Sequence, residues 1–352
     1  MRINNALAAC LATWFFIYIL RQRTTCVTGI QHDVQRENAT LLMLVRNKEL
    51  IDALISIRQI EDRFNRNFHY PWVFLNDQHF SEEFKAYVKG MASGEVEFGV
   101  IPSSQWSMPG DIDVDRATQS RKKMEMQGII YGGSLSYRHM CRFNSGFFAH
   151  QDLLQNYKYY WRVEPNIQFS CTIPDDPFAF MRMHSKAYGF VIALPEYEAT
   201  IPTLWKTVQQ FARWYPQYIN PNNAAGFVLE PPDSDIQHAK FNLCHFWSNF
   251  EIADLDFWRS EAYTAFFDHL DRSGGFYYER WGDAPVHSIA AALLLPRDAI
   301  HFFDEIGYGH VPWTRCPSDD ASHVSGRCLC SREDSFDYSA FSCLPRWQQL
   351  IS

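Results

Sequence analysis

The sequence predicts a single α/β domain with a mixed, mostly parallel sheet and helices packed on its faces. Two observations favour this fold class. Strand-like apolar runs alternate with segments of helical periodicity from residue 40 onward, and no linker separates two cores. The chain has 352 residues, 47% hydrophobic and 16% aromatic, which allows a large core and excludes a disordered protein.

The first elements of the domain give the clearest pattern. Residues 40–45, "TLLMLV", are almost wholly apolar, as expected of a strand covered on both faces. Apolar residues at helical spacing then run from Leu50 to Phe64. A strand, a helix and a strand are predicted next, over residues 72–77, 81–92 and 96–101. The resulting β-α-β-α-β order is typical of a parallel sheet.

The remaining elements alternate less regularly. Three further strands are predicted over residues 159–163, 167–171 and 188–194. Four further helices are predicted over residues 135–150, 201–214, 260–272 and 286–295. The strand pattern of residues 159–163 ends at Glu164 because Pro165 cannot donate to a sheet ladder.

The N-terminus predicts a membrane anchor. Residues 6–20, "ALAACLATWFFIYIL", carry no charge and lie between Arg2 and Arg21. With residues 3–5 added, the segment reaches the ~17–25 residues that a bilayer span needs. A cleaved signal peptide is the alternative, but bulky residues run into Arg21 with no small-x-small site. We therefore expect a cytosolic tail (1–5), a transmembrane signal-anchor (6–20), a stem (21–38) and a luminal catalytic domain (39–352).

Cysteine usage places that domain in an oxidising compartment. The chain has nine cysteines, and four of them follow residue 315 in a region without periodicity. Such a coil-rich tail is more easily held by disulfides than by core burial. A zinc site is the poorer interpretation, since Cys328-x-Cys330 does not match the usual CxxC pairs. The sequon Asn38-Ala39-Thr40 agrees with a luminal location, and the cysteine connectivity stays open.

Charge and the residues after the strands indicate the type of ligand. A net charge of −8 and a pI near 5.9 argue against a nucleic-acid binder. No dinucleotide fingerprint or P-loop follows the first strand, where Arg46 stands instead. Asn76-Asp77 and Glu164 follow two other strands, and ligands of open α/β sheets bind beyond such strand ends. One cation together with several side-chain oxygen atoms suits the binding of a phosphate-containing molecule through a hard metal ion. The alternative is that Glu164 only caps a turn before Pro165.

Five motifs together resemble the fungal Golgi α-1,2-mannosyltransferases, glycosyltransferase family 15. They are "MCRFNSG" (140–146), "YYWRVEPN" (159–166), "CHFWSNFEI" (244–252), "GGFYYERWGDAPVHS" (274–288) and "IGYGH" (306–310). The resemblance implies a GT-A-like, Rossmann-like fold, GDP-mannose as donor and Mn²⁺ as cofactor. It also implies retaining transfer to the terminal mannose of a glycan or glycoprotein, in the lumen of the Golgi, by a single-pass type II membrane protein.

The same resemblance assigns the metal and donor sites. It carries metal ligation onto Glu164, whose Glu-Pro-x element replaces an Asp-x-Asp, and onto His310 of the last motif. Carboxylate and imidazole together suit Mn²⁺ better than Ca²⁺. Asn166 stands where an acidic residue would complete an Asp-x-Asp-like pair, so the site depends more heavily on Glu164 and His310. Arg46 and Tyr137 match donor-site residues, and Glu164 is counted with them.

Glu251 and Asp283 are the expected catalytic residues. By the resemblance Glu251 lies near the anomeric carbon, either as a nucleophile or as a group that stabilises charge on the sugar or positions the acceptor. Asp283 is expected in the cleft as an acceptor-binding group or base, or else at a helix N-terminus as a structural residue. Trp247 is expected to contact the acceptor. His287, one helix turn after Asp283, is expected to be packed rather than catalytic.

Two other functions remain open from the residues alone. A glycoside hydrolase would use paired carboxylates across a cleft and need neither GDP nor metal. A non-catalytic mannan-binding protein would keep the fold without turnover. The acceptor class, O-linked or N-linked, is left undetermined.

Overall fold

A seven-stranded mixed sheet forms the centre of this computed structural model, which describes residues 36–352. The strands are β1 (Ala39–Leu44), β2 (Trp72–Asn76), β3 (Val96–Val100), β4 (Tyr159–Val163), β5 (Gln168–Phe169), β6 (Tyr188–Phe190), β7 (Ala193–Pro195), β8 (Leu229–Glu230), β9 (Lys240–Phe241), β10 (Cys244–Phe246), β11 (Phe250–Asp254), β12 (Ile300–Phe302), β13 (Tyr308–His310) and β14 (Trp313–Arg315). The central order is β12-β6-β11-β4-β1-β2-β3. Strand β11 runs antiparallel to β4 and β6, and the other four pairings are parallel. The predicted mixed, mostly parallel sheet is confirmed.

Helices cover both faces of this sheet. They are α1 (Leu50–Ile60), α2 (Arg66–Phe68), α3 (Glu82–Met91), α4 (Val114–Met126), α5 (Leu135–Gly146), α6 (Pro177–Met183), α7 (Leu204–Trp214), α8 (Leu255–Arg259), α9 (Glu261–Arg272), α10 (Gly275–Tyr278), α11 (Asp283–Leu294), α12 (Asp320–Val324) and α13 (Leu344–Ile351). A π-helical segment, Glu61–Asn65, continues α1 into α2. Residues 36–352 form one compact unit.

Strand β1 explains why its sequence is apolar at every position. Leu41 and Met43 pack into the core cluster on one face of the sheet, and Leu42 packs into the cluster on the other. Side chains of a strand alternate between faces, so a central strand with helices on both sides needs apolar residues throughout. Burying each such side chain stabilises the fold by roughly 1.5–3 kcal/mol.

The predicted elements differ from the observed ones where contacts between distant parts of the chain determine the secondary structure. The predicted strand over residues 188–194 is two strands, β6 in the central sheet and β7 paired with β10. Helix α4 was not predicted because it is polar, with "RKK" in its centre and few apolar positions. Its start is fixed locally, since the Asp113 side chain accepts a hydrogen bond from the Arg116 N–H. Strand β11 was also missed, although its motif was recognised.

Disulfides hold the C-terminal tail, as the cysteine pattern predicts. Two bridges tie the tail to the body of the domain, Cys171–Cys328 and Cys244–Cys343. A third, Cys316–Cys330, closes a loop within the tail. Cys141 is buried and forms no disulfide with any cysteine of residues 36–352.

The predicted cytosolic tail (1–5), signal-anchor (6–20) and most of the stem (21–38) lie outside the described residues. Among the helices of residues 36–352, none combines the length and the apolar character that crossing a bilayer requires.

Candidate active site

The carboxyl end of β4 carries the first functional side chain, and helix α1 fixes its position. The Ser56 hydroxyl on α1 donates a hydrogen bond to the Glu164 carbonyl, at 2.8 Å, and accepts one from the Ile167 N–H, at 3.1 Å. Asn166 lies between them in the left-handed region, at φ 61°. Asparagine tolerates that conformation better than most residues, which gives Asn166 a structural role in the turn after β4.

Arg162 is the centre of the site, and the sequence analysis did not single it out. It lies two residues before Glu164 on β4, and so on the same face of the strand. Strand β11 places Glu251 directly opposite Arg162 in the antiparallel register. An arginine within an otherwise apolar strand was the signal in the sequence that could have identified it.

Three carboxylates from distant parts of the chain contact the Arg162 guanidinium. Its Nε lies 2.7 Å from Oε1 of Glu164. Its Nη1 lies 2.5 Å from Oδ2 of Asp283 and 3.3 Å from Oε1 of Glu251. Side-chain exposure falls from 19% for Glu164 to 6% for Asp283 and 0% for Glu251. The cluster therefore has a partly exposed edge at Glu164 and a buried end at Glu251.

The opposite charges of the cluster stabilise one another's ionised forms. Burial alone would lower the pKa of Arg162, but the charges of Asp283, Glu164 and Glu251 raise it well above its ordinary value. Burial would likewise raise the pKa of Asp283, but the charge of Arg162, and then that of His287, hold it below its ordinary value. Arg162 is thus a fixed cation and Asp283 a fixed anion at neutral pH.

Asp283 lies at the start of helix α11 without serving as its cap. The helix begins at Asp283, and its N-cap residue is Gly282. The Asp283 carboxylate instead accepts hydrogen bonds from Arg162 and from the Ser248 hydroxyl, the latter at 2.8 Å. The helix-terminal and cleft interpretations of Asp283 are therefore compatible, because its position starts the helix and its side chain joins the cluster.

Glu164 and His310 are distant in sequence, but they adjoin two strands that pair with each other in the fold. Strand β5 follows the turn after Glu164, and β13, which ends at His310, pairs antiparallel with β5. Tyr308, two residues before His310, is buried, and the pKa of Tyr308 is raised well above its ordinary value by that burial and then by the charge of Glu164. Both expected metal ligands thus belong to the same edge of the fold.

The His310 side chain has the chemistry of a ligand. Its Nδ1 is buried and has no hydrogen-bond partner among residues 36–352. Its ring packs edge-on against Trp247, with ring centroids 5.6 Å apart. Within that same part of the chain, His, Cys, Asp and Glu side chains form no group of three or more suited to a metal ion. Glu164 and His310 together would supply one carboxylate and one imidazole, a mixed set that fits Mn²⁺ if the remaining ligands come from a phosphate-containing molecule.

Of the expected donor-site residues, Arg46 follows β1 and Tyr137 lies in the first turn of α5. Arg46 is half exposed, and its guanidinium pairs with Glu49. The pKa of Arg46 is raised, chiefly by the hydrogen bond to Glu49 and to a lesser extent by the charges of Asp77 and Tyr131. Tyr137 stacks on Tyr131, with ring centroids 4.4 Å apart. Tyr131 is thus an exposed aromatic ring packed on Tyr137, which the sequence analysis did not single out.

Trp247 lies between the two halves of the site. It packs against His310, and the next residue, Ser248, donates to Asp283.

His287 is fully buried, as expected, but its Nδ1 lies 2.8 Å from Oε2 of Glu251. Helix α11 carries both Asp283, which contacts Arg162, and His287, which contacts Glu251, one turn apart.

Comparison with known proteins identifies the family of the chain. The family model for glycolipid 2-alpha-mannosyltransferase matches residues 21–352. The chain belongs to this family.

Members of the glycolipid 2-alpha-mannosyltransferase family are similar to the chain over most of its length. Alpha-1,2 mannosyltransferase KTR1 of Saccharomyces cerevisiae is 52% identical, over 90% of this chain and 79% of that protein. O-glycoside alpha-1,2-mannosyltransferase homolog 3 of Schizosaccharomyces pombe is 49% identical, over 90% and 83%. The chain is accordingly a glycosyltransferase.

Two solved structures of family members share the fold. The mannosyltransferase Ktr4p of S. cerevisiae in complex with GDP has a TM-score of 0.84 at 43% identity, covering 90% of this chain and 82% of that one. Core-mannan synthase A of Aspergillus fumigatus, in its Mn/GDP form, has a TM-score of 0.82 at 40% identity, covering 90% and 86%. The expected GT-A-like α/β fold is confirmed for the described residues.

Proposed function

We propose that this chain is a Mn²⁺-dependent retaining α-1,2-mannosyltransferase that moves mannose from GDP-mannose to the terminal mannose of an O- or N-linked glycan. The observation that carries the proposal is the convergence of Glu164, Glu251 and Asp283 on Arg162 at the carboxyl end of β4. Support for the donor and the ion comes from relatives solved with GDP and with Mn/GDP. Support for the linkage comes from relatives named as alpha-1,2-mannosyltransferases.

Glu164 and His310 are the residues that would hold Mn²⁺. When bound, the ion supplies positive charge that stabilises the diphosphate leaving group as the glycosidic bond breaks. Arg162 holds the Glu164 carboxylate through Nε, which fixes one carboxylate oxygen and leaves the partly exposed side chain facing outward. Among residues 36–352, Nδ1 of His310 has no hydrogen-bond partner, so ligation would displace no hydrogen bond from that part of the chain.

Asp283 would act on the transferred sugar by charge, and Glu251, which is fully buried, would act through its contact with Arg162. A glycosyl transition state gains positive character on the ring, which nearby carboxylates stabilise in a site shielded from water. Because the pKa of Asp283 is lowered, its carboxylate is a weak base. We therefore assign Asp283 to binding the acceptor hydroxyl and to charge stabilisation rather than to removing a proton.

Donor and acceptor would be held by side chains around the cluster. Arg46, which follows β1, would make charge-assisted hydrogen bonds to phosphate or sugar, and the stacked rings of Tyr131 and Tyr137 would contribute to the donor site. Trp247, whose ring packs against His310, would stack against an acceptor mannose. We further propose that the domain works in the Golgi lumen as a single-pass type II membrane protein, as the N-terminal sequence suggests.

The test is to incubate the purified full-length chain with GDP-mannose, Mn²⁺ and α-methyl mannoside. We expect GDP release together with a disaccharide whose linkage, determined by NMR, is α-1,2. Cleavage of preformed mannosides without GDP or metal would show a glycoside hydrolase instead. Binding of mannosides with no turnover at any Mn²⁺ concentration would show a non-catalytic protein. Either of these results contradicts the proposal.

A further inference from the structure

A buried imidazole and a buried carboxylate face each other behind the catalytic cluster. Both His287 and Glu251 have side chains that are 0% exposed, and Nδ1 of His287 lies 2.8 Å from Oε2 of Glu251. The other ring nitrogen of His287, Nε2, lies 2.9 Å from the carbonyl oxygen of Asn144. The imidazole is thus held at both nitrogens, between helix α5 and strand β11.

The chemistry of these contacts fixes the number of protons. A carbonyl oxygen can only accept a hydrogen bond, so Nε2 of His287 must carry a proton. If Nδ1 carried none and Glu251 were ionised, two lone pairs would face each other at 2.8 Å. One further proton must therefore lie between Nδ1 and Oε2. The His287–Glu251 pair is then electrically neutral as a unit.

The surroundings favour that proton on the imidazole. Arg162 contacts the other Glu251 oxygen, Oε1, at 3.3 Å, which stabilises an ionised Glu251. The ring of Trp258 lies 4.2 Å from that of His287, centroid to centroid, at an interplanar angle of 31°, where its face can stabilise a cation. The Asp283 carboxylate, one helix turn before His287, adds a second negative charge nearby.

Among the residues that the structure describes, no other group near the pair can take over the proton near neutral pH. The titratable and charged groups that face the pair are Arg162, Asp283 and three tyrosines, Tyr160, Tyr188 and Tyr263. The pKa of each tyrosine is raised well above its ordinary value, first by burial and then by the charge of Glu251. A cavity of about 10 Å³ beside Glu251 and His287 has room for about one water molecule, so bulk water does not solvate the pair.

We propose that His287 is a positioning residue, held as an imidazolium, that fixes Glu251 and cancels its charge beneath Arg162. Arg162 then directs its charge mainly to Asp283 and Glu164, which agrees with its shorter contacts to these two residues. Glu251 in turn holds the guanidinium from below through its longer contact. The consequence for turnover rests on the proposed function, whereas the protonation state does not.

The protonation state can be measured on the native full-length chain by NMR with ¹⁵N-labelled histidine rings. The His287 signal is assigned as the one lost in His287→Asn. We expect both ring nitrogens of His287 to carry protons at pH 7, because Nε2 faces a carbonyl oxygen and Nδ1 faces a carboxylate oxygen. A neutral ring at pH 7 would overturn the proposal. This outcome is independent of any transferase activity.

Kinetics of two variants test the positioning role. In His287→Asn, the side-chain amide can replace Nδ1 as a donor to Glu251 without the positive charge. In His287→Phe, the ring stacking is kept and both hydrogen bonds are lost. We expect kcat to fall roughly 10- to 100-fold in the first and further in the second, with KM for GDP-mannose within about twofold, as for orienting partners of other active-site groups.

His269→Asn is the matched control. His269 is also a buried histidine, but within the described part of the chain its ring makes a single hydrogen bond, to the Thr207 carbonyl at 3.0 Å, and no salt bridge. We expect kcat of this variant within about twofold of the native value. Equal kcat losses in His269→Asn and His287→Asn would overturn the positioning role. If the native chain does not turn over GDP-mannose, the proposed function fails and the NMR result still decides the inference.

Discussion

Nη1 of Arg162 lies 2.5 Å from Oδ2 of Asp283, which follows it by 121 residues in the sequence. The same guanidinium holds Glu164, which directly follows the strand of Arg162, through Nε, and it also contacts Glu251 on the neighbouring strand. One buried cation thus links the end of β4, the middle of β11 and the start of α11. The expected catalytic residues and one expected metal ligand depend on it for their relative positions.

Replacing Arg162 should affect stability and activity together. In Arg162→Met, three carboxylates lose a buried partner, so we expect the free energy of unfolding to fall by about 3–5 kcal/mol. Transfer activity should become undetectable, because the carboxylates no longer converge. Urea denaturation and the GDP-release assay measure the two effects.

The control is Arg142→Met. Arg142 is equally buried and pairs with Asp271 at 2.7 Å, away from the cluster. A comparable loss of stability with normal kcat in the folded fraction is expected. If Arg162→Met kept more than a tenth of the native kcat, the cluster would not be the catalytic centre.

Asp283 should make folding sensitive to acid. The pKa of Asp283 is lowered in the folded state, so its ionised form contributes stability that is fully present above the ordinary value of 3.8. That contribution is lost as the pH falls through the lowered folded-state value. The difference in unfolding free energy between the native chain and Asp283→Asn should be constant at neutral pH and shrink below pH ~4. A difference that grows on acidification contradicts the ion pair with Arg162.

The disulfide between Cys244 and Cys343 should contribute strongly to stability. It joins β10 to the start of α13 across 99 residues of sequence. We expect the double variant Cys244→Ser/Cys343→Ser to lose about 2–5 kcal/mol in the free energy of unfolding. Cys141→Ala, which breaks no bridge, should lose about 1 kcal/mol, as typical single substitutions do. Equal losses in calorimetry would mean that the bridge does not form in the native protein.

Arg46 should matter for the donor and not for the fold. Its exposed pair with Glu49 contributes about 0–1 kcal/mol, so Arg46→Met should unfold at nearly the native temperature. Loss of a charge-assisted hydrogen bond to the donor should weaken GDP binding about tenfold, measured by calorimetric titration. Arg58→Met is the control, because Arg58 pairs with Asp62 on α1 in the same exposed manner. Unchanged GDP affinity in Arg46→Met would remove Arg46 from the donor site.

The sequence predicted the fold well where strands are apolar on both faces. Strand β4 was predicted with its observed limits, and the parallel order of the first three strands follows from their alternation with helices. Strand β11 could not be found this way. It carries the buried Glu251 in the middle of the sheet, and the burial of that charge is made possible by Arg162 and His287, which are far away in sequence.

The sequence identified several residues of the site, but it could not tell which side chains contact one another. The motifs named Glu164, Glu251, Asp283 and His310, but periodicity cannot tell which side chain an arginine or a histidine will meet. Arg162 was not identified as a site residue, because a single charged residue in a short apolar strand is equally compatible with a position at the edge of a sheet. His287 was expected to be merely packed, because a histidine in an apolar helix usually is.

The most direct measurement is a calorimetric titration of GDP, with and without Mn²⁺, into the native chain, Glu164→Gln, His310→Ala and the double variant. We predict that Mn²⁺ tightens GDP binding to the native chain, that each single variant loses this effect, and that the double variant loses no more. Residues that share one ion are coupled in this non-additive way. Full Mn²⁺ enhancement in either single variant, or losses that simply add, would contradict the shared metal site.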